Sequence, residues 1–213
     1  MQTDIIQYYR DRAKEFEKVY WKEERQEGIA QITRYLQAWF QGKSILEVAC
    51  GTGFWTERIA HTSGPIHSSD VNPSVLDIAR AKTYASPVAF ETLSWEDLNK
   101  APDGYQSLFG GFIWSHILKE ALPAFVEKCL EKVPDGGLLV FVDNTWVPGN
   151  STPIHQTDPN GNTFQLRTLE NGEDYLVLKN YFSREELEAY WRNRVKKVEY
   201  FELEYFWLLK IIK

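Results

Sequence analysis

The sequence predicts an α/β protein: a doubly wound, mostly parallel seven-stranded sheet with an antiparallel last strand, an N-terminal helical cap and an inserted β-hairpin after strand five. Two observations predict this fold. Between residues 44 and 145, short apolar runs alternate with helical patterns, as in a parallel sheet that helices cover on both faces. The first of these runs, ILEV, leads through the small-residue turn ACGTG into an amphipathic helix.

The elements follow in order along the chain. The first 40 residues carry two helical patterns, DIIQYYRDRAKEFEKVY and IAQITRYLQAWF. Strands are predicted over residues 44–49 and 65–70, over PVAFET, over SLFGGFIW and over the apolar run after PDGG. Helices are predicted over residues 54–61, over residues 73–84 with Pro73 in the first turn, and over residues 119–132.

After residue 145 the pattern changes. TWVPGNSTPIHQTDPNGN is long and rich in turn residues, which is typical of a lid or binding loop. TFQLRTLENGEDYLVLKNYF predicts a β-hairpin around an Asn-Gly turn at 171–172. Ser183 and Glu186 form a capping-box pattern that starts a last helix, and VEYFELEYFWLLKIIK predicts two closing strands.

Composition argues against several classes of protein. The 213 residues carry a net charge of −6, which disfavours a nucleic acid or an anionic membrane as the main partner. No apolar run is long enough to span a bilayer and no signal peptide opens the chain, so we expect a cytoplasmic protein. Cys50 and Cys129 lie far apart in the sequence and suggest no disulfide framework.

The turn after the first strand predicts a site for a nucleotide-like ligand. Gly51 and Gly53 allow the backbone to approach a ligand closely at the start of a helix. An acid, Glu47, lies inside the first strand, and Asp70 ends the second, where a carboxylate can accept hydrogen bonds from both hydroxyls of a ribose. Thr56 stands where the dinucleotide fingerprint needs a third glycine, which favours an adenosyl ligand without phosphates.

These segments resemble the motifs of class I S-adenosylmethionine-dependent methyltransferases. LEVACGTGFWT and DVNPSVLDIAR are similar to the first two motifs, and TLSWEDL, FGGFIWSHI and VPDGGLLVF to later ones, in register over residues 44–145. Ala49 stands at the family's usual first glycine. The resemblance implies S-adenosyl-L-methionine as the cofactor. The cofactor-binding residues that it implies are Tyr20, Glu47, Ala49, Cys50, Gly51, Thr52, Gly53, Trp55, Asp70, Val71, Asn72, Ser94, Trp95, Glu96, Phe112, Ile113 and Trp114.

The resemblance also implies roles and an organisation. Glu47 would orient the glycine turn and Asp70 would hold the ribose, while Phe112 to Trp114 would border the sulfonium. We expect a single domain over residues 1–213. Its parts would be a helical cap at 1–42, a cofactor-binding core at 43–145, a loop and hairpin over the substrate side at 146–182, and a last helix and strands at 183–213.

His116 is the candidate catalytic residue, because it follows the fourth strand and an imidazole titrates in the range of a general base. A purely structural role at a helix start is the alternative. Candidate substrate contacts are Tyr8, Tyr9, Asn144, His155, Arg167 and Lys179. We expect no metal, since the four histidines form no zinc pattern. VDNTW is nevertheless similar to the strand-five Asp-Asn of metal-dependent catechol-type enzymes.

We therefore expect a methyltransferase that moves a methyl group to an oxygen or nitrogen of a small, aromatic or apolar metabolite, as a monomer or a homodimer. Two alternatives stay open at this point. One is a nucleotide-dependent oxidoreductase of Rossmann type, which NAD(P) binding would reveal. The other is a non-catalytic protein that binds S-adenosylmethionine, which would release no S-adenosylhomocysteine when acceptors are supplied.

Overall fold

The computed structural model describes residues 5–213, without the side chains of residues 14 and 16. Within that range the strands are β1 (Ile45–Val48), β2 (Ile66–Asp70), β3 (Val88–Thr92), β4 (Ser107–Gly111), β5 (Leu138–Asn144), β6 (Gln156–Thr157), β7 (Thr163–Thr168), β8 (Asp174–Leu178), β9 (Lys197–Glu202) and β10 (Phe206–Ile212). The α-helices are α1 (Ile5–Asp11), α2 (Gln26–Trp39), α3 (Phe54–Ala60), α4 (Pro73–Arg80), α5 (Leu122–Lys132) and α6 (Arg184–Ala189). None of these described helices is long and apolar enough to cross a membrane.

The main sheet has the arrangement that the sequence predicts. In the described chain it contains seven strands in the order β3-β2-β1-β4-β5-β10-β9. β1 pairs in parallel with β2 and β4, β3 pairs in parallel with β2, and β5 pairs in parallel with β4. β10 lies antiparallel between β5 and β9. The carboxyl ends of β1, β2, β4 and β5 therefore meet at one edge of the sheet, where open α/β sheets bind ligands.

Alternate residues of each strand pack against two helical layers. On β5, Leu139 and Phe141 lie in a buried cluster that includes residues of α5 and α6. Val140 and Val142 lie in a second buried cluster, on the opposite face, with residues of α2 and α3. The sheet is thus the middle layer of three, which explains why its central strands are apolar throughout.

The first predicted helix is broken in the structure. After α1, residues Ala13–Trp21 continue as a 3-10 helix. Tyr8 packs with Val177 of β8, whereas Tyr20 stacks on Phe54 of α3 with ring centroids 3.9 Å apart. Because one straight helix could not present both tyrosines to these separate surfaces, the tighter helix redirects the chain between them.

The fourth strand ends earlier than the sequence predicts. The apolar run predicts a strand to Trp114, whereas β4 stops at Gly111. Phe112 adopts a left-handed φ of 60°, and its N–H donates to the carbonyl oxygen of Val142 at 2.7 Å. The chain then enters the short 3-10 helix Trp114–His116 instead of continuing along the sheet. This turn places Phe112 and the histidine at the carboxyl edge.

The predicted hairpin is confirmed and belongs to a second sheet. β6, β7 and β8 form a small antiparallel sheet, and the Asn-Gly turn lies between β7 and β8, where Gly172 has a φ of 85°. α1 packs on this sheet through Tyr8 and Val177. The predicted capping box is also present, since Ser183 accepts from the N–H of Glu186 at the start of α6. The small sheet and the N-terminal helices together cover the carboxyl edge of the main sheet.

Candidate functional site

Two cavities at the carboxyl edge share a wall. The smaller, of about 230 Å³, lies over the turn after β1 and the ends of β2 and β4. The larger, of about 490 Å³, lies between the N-terminal helices, the end of β5 and the small sheet. Tyr9, Phe112 and His116 line both. Molecules bound in the two cavities would therefore meet beside these three side chains.

The turn after β1 has the left-handed backbone that its glycines predict. Gly51 has a φ of 55° and Gly53 a φ of 77°. A side chain at position 53 would also collide with the hydroxyl of Tyr84. Ala49 has a φ of 59°, which residues with a side chain rarely adopt. Since Ala49 and Gly51 both line the smaller cavity, this strained backbone forms part of its wall.

Asp70 lies at the end of β2 and lines the smaller cavity. Its Oδ2 accepts a hydrogen bond from the N–H of Gly51, and its Oδ1 from the N–H of Asn72, both at 2.9 Å. Burial raises the pKa of Asp70, and the backbone hydrogen bonds oppose that rise only in part. Because each carboxylate oxygen has a further lone pair, Asp70 can fix the glycine turn and still accept hydrogen bonds from a ligand.

The structure brings many of the predicted cofactor-binding residues to one wall. Those that line the smaller cavity are Ala49, Gly51, Asp70, Val71, Asn72, Ser94, Trp95, Glu96, Phe112 and Ile113. Tyr20 lines the larger cavity instead. The residues that line neither cavity are Glu47, Cys50, Thr52, Gly53, Trp55 and Trp114. The positions of this last group have separate physical reasons.

Glu47 lies beneath the glycine turn rather than in the cavity. Its Oε2 accepts hydrogen bonds from the hydroxyls of Thr56, at 2.7 Å, and Ser68, at 2.6 Å. The side chain is buried, and burial raises the pKa of Glu47 to about 7 although the two hydroxyls lower it. Glu47 therefore holds α3 against β1 and β2, which differs from the predicted contact with the cofactor. Thr56 supplies a bond that a glycine could not.

Cys50 and Thr52 anchor the glycine turn from outside. The N–H of Cys50 donates to the carbonyl oxygen of Ser69 at 2.9 Å, which fixes the turn to β2. The hydroxyl of Thr52 donates at 2.7 Å to Glu17, a residue of the N-terminal 3-10 helix. Glu17 also forms an ion pair with Lys82 at 2.5 Å. The N-terminal helices are thus tied directly to the turn.

Two of the three tryptophans predicted to bind the cofactor belong to the core. Trp114 is fully buried and packs edge-on against Phe125 and Phe141, on the face of the sheet that α5 covers. The left-handed turn at Phe112 directs it there, so the prediction that Trp114 borders the sulfonium is not met. Trp55 is buried on the other face and stacks on Phe112, with ring centroids 6.1 Å apart. It supports the shared wall from behind.

The larger cavity gathers most of the predicted substrate residues. Those that line it are Tyr8, Tyr9, Asn144, Arg167 and Lys179. His155 does not line it, and lies directly before β6, an edge strand of the small sheet. Its side chain is exposed, and its N–H donates to the carbonyl oxygen of Phe164 at 2.7 Å. Sequence reasoning missed Arg25 and Tyr181, which line the cavity only because the chain folds back on itself, so no local pattern marks them.

His116 is held at both ring nitrogens. Its Nδ1 lies 2.6 Å from the carbonyl oxygen of Leu178, and its Nε2 lies 2.7 Å from the hydroxyl oxygen of Tyr9. Burial lowers the pKa of His116 well below its usual value, and the charges of Lys179 and Arg167 lower it further, so the ring is neutral. Since a carbonyl oxygen can only accept, Nδ1 carries the proton and Nε2 accepts from Tyr9. The shared wall thus presents a neutral imidazole that can take a hydroxyl proton.

Lys179 forms a buried ion pair at the end of β5. Its Nζ lies 2.8 Å from Oδ1 of Asp143 and also donates to Ser115, at 2.7 Å, and to Asn144, at 2.9 Å. Burial raises the pKa of Asp143, but the charge of Lys179 and the hydrogen bonds from Lys179 and Ser115 together offset this and hold the pKa below its usual range. The Asp-Asn pair that is similar to a metal site therefore binds an ammonium group. Among the described residues, no three His, Cys, Asp or Glu side chains are grouped to hold a metal ion.

Comparison with known proteins gives a domain match and distant relatives. Residues 45–137 match the family described as "Methyltransferase domain". The chain is 25% identical over 103 residues to the ubiquinone biosynthesis O-methyltransferase of Cereibacter sphaeroides, which covers 47% of this chain and 41% of that protein. The protein of the same name from Chelativorans sp. is 24% identical over 102 residues, 47% of this chain and 40% of that protein. The match thus spans about two fifths of the length of these relatives.

Solved structures share the fold along nearly the whole chain. A complex of DhpI with SAH superposes with a TM-score of 0.79 and 22% identity, covering 97% of this chain and 94% of that chain. A DhpI-SAM-HEP complex gives the same values. The magnesium protoporphyrin IX methyltransferase of Synechocystis PCC 6803, with bound SAM, superposes with a TM-score of 0.64 and 11% identity, covering 99% and 97%. Because these sequence identities are low, the comparison shows only that the folds are similar.

Proposed function

We propose that this chain is a class I S-adenosylmethionine-dependent methyltransferase, which transfers the methyl group of S-adenosyl-L-methionine to an oxygen or nitrogen of a small metabolite. The observation that carries the proposal is the meeting of two cavities at Tyr9, Phe112 and His116. Methyl transfer needs a donor site and an acceptor site that adjoin, because most of the catalysis lies in aligning the two molecules.

The smaller cavity suits the cofactor chemically. Asp70 would accept hydrogen bonds from the ribose hydroxyls, Trp95 and Val71 would flank the adenine, and the backbone at Ala49 and Gly51 would border the methionine part. When bound, the cofactor supplies a methyl group on a positively charged sulfur. Phe112 lies in the shared wall, where its ring can stabilise a cation.

His116 is the proposed proton acceptor. Its Nε2 already accepts a hydrogen bond from the hydroxyl of Tyr9, and an acceptor hydroxyl in that position would donate in the same way. Because burial keeps the pKa of His116 well below 6.5, the nitrogen is unprotonated at neutral pH. A role limited to orienting Tyr9 is the alternative, and the two roles predict different effects of mutation.

An oxygen acceptor is favoured over nitrogen. The curated relatives are named O-methyltransferases. An oxygen nucleophile also gains most from a proton acceptor, since a neutral hydroxyl is a weak nucleophile until its proton is removed, whereas a neutral amine is already nucleophilic. The oxidoreductase alternative is disfavoured because the dinucleotide fingerprint requires a glycine at position 56, and here Thr56 is bonded to Glu47.

The test is a methyl-transfer screen with the full chain. The chain is first titrated with S-adenosylhomocysteine and with NAD(P) by calorimetry, and then incubated with methyl-labelled S-adenosylmethionine and pools of small metabolites. We expect S-adenosylhomocysteine to bind and NAD(P) not to bind. The incubation should then give labelled product and stoichiometric release of S-adenosylhomocysteine. Binding of NAD(P) alone would favour the oxidoreductase, and cofactor binding without product in any pool would favour the non-catalytic alternative.

Two further expectations accompany this proposal. We propose a cytoplasmic location and a monomer or homodimer, both of which follow from the sequence reasoning. Fractionation of the expressing cells tests the first, and sedimentation of the purified chain tests the second.

A further inference from the structure

The larger cavity has a charge opposite to that of the chain. The chain carries a net charge of −6. Among the described residues that line this cavity, one carboxylate, Glu15, stands against six cationic side chains: Arg12, Lys18, Lys22, Arg25, Arg167 and Lys179. Lys18 pairs with Glu170 and Lys179 pairs with Asp143, whereas Lys22, Arg25 and Arg167 have no carboxylate within ion-pair distance among the described residues. The wall keeps a positive excess even after these pairs are counted.

Arg167 contributes to this excess from the small sheet. It lies on β7, and both its Nε and its Nη2 donate to the side-chain oxygen of Gln165, at 3.1 and 2.6 Å. Its guanidinium carbon lies 5.6 Å from the centre of the Tyr8 ring. Among the described residues, no carboxylate lies within ion-pair distance of Arg167. Its charge is therefore fixed in place by neutral groups.

Arg25 faces the same cavity from the N-terminal helices. Its Nη2 donates to Asn150 at 3.0 Å, and its guanidinium carbon lies 5.7 Å from the ring centre of Tyr205. Its Nε is buried and has no hydrogen-bond partner among the described residues. Arg25, Arg167 and Lys179 all line this cavity. Burial lowers the pKa of Lys179, and the positive charges of Arg167 and Arg25 lower it further.

We infer that the larger cavity binds the anionic group of the methyl acceptor, an oxyanion such as a carboxylate or a phosphoryl group, through Arg167 and Arg25. A guanidinium is suited to this because its planar donors match both kinds of oxyanion. Partly buried cations without a counter-charge are costly, and a bound anion would offset that cost. The inference rests on the proposed function, because it assigns the anion to the acceptor.

The inference refines the expected substrate. The aromatic rings of Tyr8, Tyr9 and Tyr181 line the same cavity and can contact an apolar or aromatic body. A cavity of about 490 Å³ has room for a small molecule with both parts. The acceptor would thus be a small organic acid with its nucleophile near His116, rather than a wholly apolar metabolite.

The test uses small aromatic anions as probes. The full chain, saturated with S-adenosylhomocysteine so that the smaller cavity is filled, is titrated by calorimetry with benzoate, phenyl phosphate and uncharged benzyl alcohol. The variants are Arg167→Gln and Arg25→Gln, with Arg192→Gln as a matched control because Arg192 is exposed and lines neither cavity. Thermal unfolding of each variant confirms that it is folded. Arg25 is only partly buried, so its variant keeps the test valid if Arg167→Gln unfolds.

We expect one or both anions to bind and benzyl alcohol not to. Each cavity variant should weaken anion binding by about tenfold to a hundredfold, as for the loss of charged hydrogen bonds, and Arg192→Gln should leave it unchanged. Binding of one anion alone would identify the oxyanion as a carboxylate or a phosphoryl group. Equal binding of benzyl alcohol, no anion binding, or binding that neither variant weakens would overturn the inference.

The proposed function can fail separately. If S-adenosylhomocysteine does not bind to the unmodified chain, the proposed function is wrong. The anion titrations are then run without it, and their outcome still decides whether the cavity is an anion site.

Discussion

The two cavities are built by the chain in different ways. The smaller is formed mainly by strand ends and by the turn at Ala49 and Gly51, in one continuous stretch of alternating strands and helices, to which α1 adds Ile5, Ile6 and Tyr9. The larger takes Tyr9 from α1, Arg167 from β7 and Lys179 from just after β8, segments that lie far apart in the sequence. One cavity is therefore specified mainly by local backbone geometry and the other by long-range packing.

The cavities also differ in charge. The described residues that line the smaller one include the carboxylates Asp70 and Glu96 but no lysine or arginine. The larger one has an excess of cationic side chains. A cationic donor and an anionic acceptor would each meet the complementary wall. The cavity built mainly from local turns is thus the one with carboxylates, and the cavity built by long-range packing is the one with an excess of cations.

The largest expected effect concerns the buried ion pair in the wall of the larger cavity. Replacing Lys179→Met leaves the carboxylate of Asp143 buried without its cation, which should lower the free energy of unfolding by about 3–5 kcal/mol. Urea unfolding at neutral pH measures this decrease in the free energy of unfolding. Lys100→Met is the matched control, because Lys100 forms an exposed ion pair with Asp97 and its loss should leave the midpoint nearly unchanged.

The double variant sharpens this result. Adding Asp143→Leu to Lys179→Met removes the uncompensated charge, so a large part of the lost stability should return. The double variant could instead be less stable than Lys179→Met, by as much as a further substitution in the core normally costs. The ion pair would then stabilise the chain through packing and not through charge.

The second effect concerns the wall that both cavities share. Replacing His116→Ala should lower turnover on an oxygen acceptor by about 10²-fold, the lower end for a positioned base, because the depressed pKa of His116 makes it a weak one. Affinity for S-adenosylmethionine should change no more than a few-fold. Initial rates with the acceptor found by the screen, together with calorimetry, measure both.

Tyr9→Phe separates the two roles of the histidine. This change removes the hydroxyl that Nε2 accepts from but leaves the imidazole in place. If His116 takes the proton directly, Tyr9→Phe should retain most of the turnover. Equal losses in both variants would instead mean that the histidine acts only by orienting Tyr9.

The sequence predicts the cavities unequally, for physical reasons. The alternation of strands and helices, the hairpin and the position of Asp70 follow from periodicity and from turn residues, which act over a few positions. The prediction for Trp114 is wrong because the strand pattern continues through FGGFIW, whereas the backbone turns at Phe112. An apolar run does not reveal a single left-handed residue within it.

The cationic wall could not be predicted. Arg25 lies in a charged stretch that reads as a solvated helix end, and only the fold brings it opposite Arg167. The sequence indicates Lys179 as a candidate substrate contact, but its ion pair with Asp143 depends on how the small sheet is positioned. Electrostatic partners far apart in the sequence leave no local pattern.

The third effect concerns the smaller cavity. Asp70→Ala should weaken S-adenosylmethionine binding by about tenfold to a hundredfold or more, since charged hydrogen bonds to the ribose contribute roughly 1.5–3 kcal/mol each. The structure adds an effect on stability, because Asp70 also holds the backbone N–H groups of Gly51 and Asn72. Asp77→Ala, on the exposed face of α4, is the control. Unchanged affinity in a folded Asp70→Ala protein would remove the ribose assignment.

The smallest expected effect is a pH dependence in which the two regions oppose each other. The pKa of His116 is held well below 6.5 by burial, so the unfolded chain binds a proton there that the folded chain does not, and stability rises with pH below about 6.5. The pKa of Glu47 is raised by burial from 4.5 to about 7, so the folded chain binds the extra proton, and stability falls as pH rises from 4.5 towards 7. Between about pH 5 and 6.5 the two slopes, each up to about 1.4 kcal/mol per pH unit, nearly cancel.

Replacing either residue alone should reveal how the other makes the free energy of unfolding depend on pH. In Glu47→Gln, which keeps an acceptor for Thr56 and Ser68, the slope of His116 remains and the free energy of unfolding should rise between pH 5 and 6.5. In His116→Gln the slope of Glu47 remains, and the free energy should fall over the same range. Urea unfolding at half-unit pH steps measures all three proteins. A flat profile in either variant would mean that the group left in place titrates as it does in the unfolded chain, and it would show which region of the site is solvated.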